Sequence, residues 1–126
     1  MAVLGNPAER GYEQASFATQ TIHTNGYNKT LIVNTGPCLL IGASIYNNNA
    51  ASQFVQLFDG TAAPATGTQP AAVFTVLTIA NLGLYYGSAG RPFLNGCVIA
   101  ISSTGPTYTA AGANDCYIDA QYVVIC

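Results

Sequence analysis

Apolar and β-branched residues recur in short runs from residue 16 onward, and turn-forming residues separate these runs at intervals of roughly 8–12 positions. Such spacing is typical of an all-β sandwich or barrel. No stretch combines a helical hydrophobic period with a capping residue and strong helix formers. We therefore predict an all-β fold, a single antiparallel β-sandwich that is jelly-roll-like. The predicted strands are residues 17–22, 30–33, 38–46, 54–58, 72–79, 82–86, 97–101 and 117–125, with a weak candidate at 107–109 and loops at 61–70 and 87–92.

Two of these strands carry an apolar residue at every second position. Residues 38–46 alternate strictly, which places Leu39, Ile41, Ala43 and Ile45 on one face. The last strand has one wholly apolar side, at every second residue from Cys116 to the C-terminal Cys126. In a sandwich, a face of this kind meets the core.

Several other strands are apolar on both faces, whereas a strand of an antiparallel sandwich usually alternates between core and solvent. Ile32 lies opposite Leu31 and Val33, and the strand 54–58 repeats the pattern. Exposing several such side chains forgoes several kcal/mol of burial and invites aggregation. We therefore predict a subunit interface in a symmetric homo-oligomer. The alternative is that edge strands and loops of the same chain fold over the outer face.

The first 15 residues differ from the rest, because turn-favouring and charged residues surround a single aromatic and neither period is present. Three of the few charged residues lie here: Glu9, Arg10 and Glu13. We predict an extended N-terminal arm at 1–15, ordered by contact with another body, and a β-sandwich domain at 16–126. The alternative is a frayed terminus without a role.

The composition restricts the classes of partner. Charged residues make up 6% of the chain, hydrophobic residues 50%, and the formal net charge is −2. Nucleic-acid binders carry clustered Lys and Arg, and a membrane span needs about 20 apolar residues in a row, so we expect neither partner. The polar surface must come from neutral Thr, Asn, Ser and Gln, which suits a protein packed against copies of itself or a larger body. We expect no secretory signal, because the first residues hold no basic and apolar segments.

The titratable residues indicate no enzyme. General acid–base catalysis needs a carboxylate or histidine held near its partner. Asp115 and Asp119 are four positions apart, about 13 Å on a strand, which exceeds the spacing of a glycosidase pair. His23 has no Ser or Cys partner placed by a motif. We expect a chain without catalytic residues, metal or other cofactor.

Four cysteines lie at positions 38, 97, 116 and 126, at separations that match no zinc pattern. One interpretation is that they are buried small hydrophobic residues. The other is a disulfide formed after release from the cell. Three pairings are possible, and the sequence does not choose between them.

From about residue 44 to residue 122 the chain resembles a group of short β-sandwich proteins that tailed bacteriophages encode beside their capsid genes. Each matching segment is short, and their order and spacing carry the resemblance. The segments are Ile45-Tyr-Asn-Asn48, Phe54-Val-Gln-Leu-Phe-Asp59, Ala63-Pro64 through Gly67-Thr-Gln-Pro70, Phe93-Leu-Asn-Gly96, Val98-Ile-Ala-Ile-Ser-Ser-Thr104, Ala111-Gly-Ala-Asn-Asp115 and Ala120-Gln-Tyr122.

The resemblance implies a capsid decoration (cement) protein. Such a protein is a non-enzymatic part of the virion, assembled in the host cytoplasm. It binds the outside of the head and stabilises contacts between major capsid subunits, more often as a homotrimer than as a dimer. We expect Arg10 and Tyr12 of the arm to contact the capsid, because Arg forks onto carboxylates and Tyr buries area at small entropic cost. The alternative function is a fibre or spike module that binds host glycan through loops bearing Asn and Tyr.

Overall fold

The computed structural model describes residues 18–112 and 114–125, in which the regular elements are nine β-strands and there is no helix. In this part of the chain, therefore, no helix is long and apolar enough to cross a membrane. β-Branched and aromatic residues favour the extended strands, and Gly, Pro and Asn supply the turns. The strands are β1 (Gln20–His23), β2 (Thr30–Asn34), β3 (Cys38–Asn47), β4 (Gln53–Asp59), β5 (Ala72–Val76), β6 (Ala80–Tyr85), β7 (Arg91–Phe93), β8 (Cys97–Ser102) and β9 (Cys116–Val124).

The strands pair as nested antiparallel hairpins. The β4–β5 hairpin is innermost, and around it β3 pairs with β6, β2 with β8 and β1 with β9. The nested pairs form two sheets with strand orders β1-β9-β3-β6 and β2-β8-β4-β5, and the short β7 extends the first sheet by pairing with β3. This arrangement is that of a jelly roll. The prediction of an all-β antiparallel sandwich is confirmed.

The core lies between the inner faces of the five-stranded and four-stranded sheets. Leu40 of β3 and Ile118 of β9 point inward from the first sheet, and Leu57 of β4 and Ile99 of β8 from the second. Burying one such aliphatic side chain contributes about 1.5–3 kcal/mol relative to leaving it exposed. The apolar side predicted for the last strand is part of this core from its first residue to Tyr122.

The strict alternation predicted for residues 38–46 is wrong. A β-bulge between Leu40 and Gly42 adds one residue to β3, and this reverses which positions face the core. Of the four residues predicted to share a face, the last two, Ala43 and Ile45, are buried in the core. The first two, Leu39 and Ile41, precede Gly42 in the chain and are only half-buried.

Other predicted elements also differ from the structure. β5 ends at Val76 rather than at residue 79, because residues 77–79 turn the chain into β6. β7 begins within the loop predicted at 87–92, and Pro92 is tolerated there because the strand lies at the sheet edge. Residues 107–109 are not a strand.

Residues 103–110 form a covering segment over the outer face of the four-stranded sheet. Tyr108 packs there against Phe58, Val98 and Ala100, which point away from the main core. The Phe58 and Tyr108 rings meet edge to face with centroids 5.7 Å apart. The chain therefore buries Phe58, Val98 and Ala100 itself, as the alternative to a subunit interface predicted, whereas Ile32 and Val73 on the same face remain 39% and 40% exposed.

Candidate interaction surface

The outer face of the five-stranded sheet carries a row of aromatic side chains, and we name it the tyrosine face. Tyr46 of β3 is directly opposite Tyr117 of β9 and, on its other side, Asn81 of β6. Tyr27, from the β1–β2 connection, packs edge-on against Tyr117 with ring centroids 5.6 Å apart. Tyr27 and Tyr117 remain 48% and 47% exposed, so the pair presents aromatic surface to a partner.

The centre of the tyrosine face is made of small residues. Ser44 of β3 is in register with Gly83 of β6, and Gly42 is in register with Tyr85. A Cβ atom at Gly42 would lie 2.8 Å from the Leu84 carbonyl oxygen, so the bulge requires glycine there. Tyr85 is 77% exposed at the border of this flat region.

The remainder of the tyrosine face is polar and nearly uncharged. His23 of β1 is opposite Asp119 of β9, and Thr21 is opposite Gln121. The Gln121 side-chain amide donates a 3.1 Å hydrogen bond to the Asp119 carboxylate. A flat, aromatic and weakly charged surface has the composition of the centre of a protein interface.

A second apolar feature, the β5–β6 tip (residues 77–79), lies at the end of the sandwich where Tyr46 and Tyr117 lie. Leu77 and Ile79 are 63% and 55% exposed. Ile79 has a φ of 45°, which a β-branched residue adopts only under strain. The surrounding structure enforces this conformation, since the Ile79 amide donates to the Asn49 carbonyl oxygen at 3.2 Å and the Asn47 side-chain amide donates to the Leu77 carbonyl oxygen at 3.0 Å.

Buried amides hold this tip in place. Asn47 is fully buried at the end of β3, and its side-chain oxygen Oδ1 accepts a 3.3 Å hydrogen bond from the Gln53 side-chain amide. Gln53 also donates to the Asp115 carboxylate at 3.1 Å, and Asn49 donates to the same carboxylate. Asp115 therefore connects the β3–β4 turn to β9. Asp119 lies instead on the tyrosine face, so the structure does not bring the two carboxylates together as a catalytic pair.

The opposite end of the sandwich is fixed by Asp59. Its carboxylate accepts hydrogen bonds from the backbone amides of Leu94, Asn95 and Gly96, at 3.2, 2.8 and 3.4 Å. These bonds, the one from Asn95 above all, hold the pKa of Asp59 below its ordinary value of 3.8. The carboxylate thus orders the turn before β8. Leu94 within that turn is 73% exposed.

The predicted capsid contacts Arg10 and Tyr12, with the whole arm 1–15, lie outside the residues that the structure describes. Cys126 does too, whereas Cys38, Cys97 and Cys116 are buried thiols. Residues 18–112 and 114–125 form no pocket and hold no group of three side chains spaced to bind a metal ion. The sequence does not reveal the tyrosine face, because its members come from four strands and the connection before β2, and only the register aligns them.

Comparison with known proteins found no match among family models, curated proteins or solved structures. The jelly roll itself occurs in viral capsid proteins, lectins and cupins, so the fold does not select a function. Function must therefore be argued from the surfaces of this chain. Among the described residues, the tyrosine face and the β5–β6 tip carry most of the exposed large hydrophobic side chains.

Proposed function

We propose that this protein is a non-enzymatic structural component of a virion, which binds the outside of a phage head as a homotrimer and stabilises contacts between major capsid subunits. The observation that carries the proposal is the tyrosine face, where aromatic side chains surround a flat, small-residue centre. The resemblance of residues 44–122 to capsid decoration proteins supports the same function.

Self-association through the tyrosine face follows from its chemistry. Tyr27, Tyr85 and Tyr117 are between 47% and 77% exposed, and such rings bury large areas at small entropic cost. Ser44 and Gly83 at the centre allow another flat surface to approach closely. The weak charge of this face avoids a large desolvation cost when two copies meet.

Attachment to the head uses the β5–β6 tip in this proposal. Leu77 and Ile79 project from a turn that buried amides hold rigid, so little conformational entropy is lost when they enter an apolar recess. A homotrimer presents three such tips at once. Three weak contacts on a symmetric lattice then add up to stable attachment through effective concentration.

The direct test is co-sedimentation of the purified protein with heads that lack it. We expect saturable binding, a copy number equal to the major capsid protein or a simple fraction of it, and greater heat tolerance of the heads. Deleting residues 1–15, or replacing Arg10 and Tyr12 by alanine, should weaken attachment while leaving unfolding of the free protein nearly unchanged. Absence of co-sedimentation would refute the proposal.

Recognition of host glycan is the second candidate, and one observation favours it. The Tyr85 ring is 77% exposed, and the Gln121 side chain lies on the same face, close to Gly42. Sugars bind such sites by stacking on an aromatic ring while amides bond their hydroxyls. A glycan array with a hit that Tyr85→Ala abolishes, together with few copies per particle, would favour this function over the first.

A further inference from the structure

Two cysteine side chains from different sheets meet in the interior. Cys38 begins β3 of the five-stranded sheet, Cys97 begins β8 of the four-stranded sheet, and both are fully buried in one core cluster. The chain brings them together because Asn34 at the end of β2 is in register with Cys97, and four residues after Asn34 the chain enters β3 at Cys38. Cys38 is also in register with Phe93, four residues before Cys97, so the two buried cysteines lie at the same end of the core.

Cys116 is remote from this pair. It is in register with Asn47, the last residue of β3, whereas Cys38 is the first. The ten residues of β3 span about 30 Å at roughly 3.3 Å per residue. A disulfide requires Cα atoms within about 7 Å, so Cys116 cannot reach Cys38 or its neighbour Cys97 in the folded protein.

We propose that Cys38 and Cys97 form an inter-sheet disulfide when the protein meets an oxidised low-molecular-weight disulfide such as glutathione disulfide. The Cys38 thiolate attacks one glutathione sulfur, which gives a mixed disulfide and releases one glutathione thiolate. The Cys97 thiolate then attacks the Cys38 sulfur and releases the second glutathione. Two protein thiols and one external disulfide thus become one protein disulfide and two glutathione thiols.

The environment of the two thiols assigns the order of these steps. The hydrogen bond from Cys97, followed by that from Asn34, lowers the pKa of Cys38, although burial and the Asp59 charge oppose this. The same pairing, together with burial, raises the pKa of Cys97. The lowered pKa of Cys38 favours it as the first nucleophile, with Cys97 as the resolving thiol. Reagent reaches the buried pair while the edge strand β7, whose Phe93 is in register with Cys38, is detached, or before the chain has folded.

The disulfide would join β3 to β8 and so connect the two sheets covalently. A crosslink of this kind stabilises mainly by restricting the unfolded chain, and the loop between residues 38 and 97 is long. We expect the melting temperature to rise by about 10 °C. The bond would stay open in a reducing cytoplasm and close in an oxidising environment.

The test is refolding of the full chain in a glutathione redox buffer, followed by intact mass and peptic mapping at low pH, which halts thiol exchange. We expect a loss of 2 Da relative to the reduced protein, a linked peptide pair containing Cys38 and Cys97, and a higher melting temperature that dithiothreitol reverses. The double variant Cys116→Ser/Cys126→Ser, which retains only the proposed pair, should still lose 2 Da.

The single variants Cys38→Ala and Cys97→Ala are the matched counterparts, and each should abolish the crosslink and the thermal gain. A linked peptide that contains Cys116 or Cys126 would overturn the proposal. Finding four free thiols in the parent protein after refolding in the oxidised buffer would also overturn it. The same conclusion would follow if the double variant kept both of its thiols free in that buffer. None of these outcomes depends on whether the protein binds a phage head.

Discussion

Gln56 of β4 donates a 2.9 Å hydrogen bond to the carbonyl oxygen of Thr104, and this bond fixes the covering segment over the outer face of the four-stranded sheet. A second bond of the same length reaches the carbonyl oxygen of Gly105. The fully buried Ser102 adds a third anchor by accepting from the Thr109 amide at 3.0 Å. Polar side chains on a sheet face thus hold a loop that shields the apolar residues beside them.

The covering segment should contribute strongly to stability through Tyr108. Replacing Tyr108 by alanine removes a ring that is only 4% exposed and uncovers Phe58. We expect the free energy of unfolding to fall by about 3 kcal/mol, as for other large-to-small changes of buried aromatic residues. Urea denaturation provides the measurement. The control is Leu94→Ala, whose side chain is 73% exposed and should change stability by less than about 0.5 kcal/mol.

The turn before β8 should depend on pH through Asp59. Hydrogen bonds from the backbone amide of Asn95 and its neighbours lower the pKa of Asp59 in the folded protein. The stabilisation is therefore complete at a pH above the pKa of Asp59 in the unfolded chain. It is lost as the pH falls through the lower pKa of the folded protein. Asp59→Asn should lower the melting temperature near neutral pH by a few degrees, less than for a buried group, because water screens this exposed carboxylate. The difference between parent and variant should shrink below about pH 4. Equal melting temperatures of the two proteins at pH 7 would contradict this role.

Much of the fold could be predicted from the sequence, because hydrophobic period and turn residues are local signals. The bulge in β3 could not be predicted, since one inserted residue leaves the apolar pattern of 38–46 intact and reveals itself only in the pairing with β9. A loop folded over the outer face was one of the two alternatives, but the sequence does not show that residues 103–110 form it. Gln56 looks like a solvent-facing residue until Thr104, far along the chain, folds over it. The proximity of Cys38 and Cys97 could not be predicted from the sequence either, because the two residues belong to different sheets.

The strained Ile79 yields a prediction that separates stability from binding. Asparagine tolerates a positive φ better than a β-branched residue, so Ile79→Asn should raise the free energy of unfolding by about 1 kcal/mol while it removes apolar surface from the β5–β6 tip. The neighbouring Leu77→Asn removes a similar surface at a position without a positive φ, and should leave stability within about 0.5 kcal/mol. Both variants should bind heads more weakly than the parent in co-sedimentation. If Ile79→Asn is more stable and binds as tightly, the tip is not the attachment point.

The tyrosine face can be tested at Gly83, where an added side chain meets nothing within 4 Å and the backbone φ is not positive. Gly83→Arg should therefore leave the melting temperature of the isolated subunit unchanged, while its long charged side chain blocks close approach of a second copy. We expect sedimentation velocity to show trimers of the parent and monomers of the variant. Thr75→Arg is the matched control, because Thr75 is an exposed strand residue on the outer face of the other sheet and should leave the trimer intact. If the Gly83→Arg protein still sediments as a trimer, the tyrosine face is not the subunit interface. That result would not affect the proposed role of the β5–β6 tip in attachment.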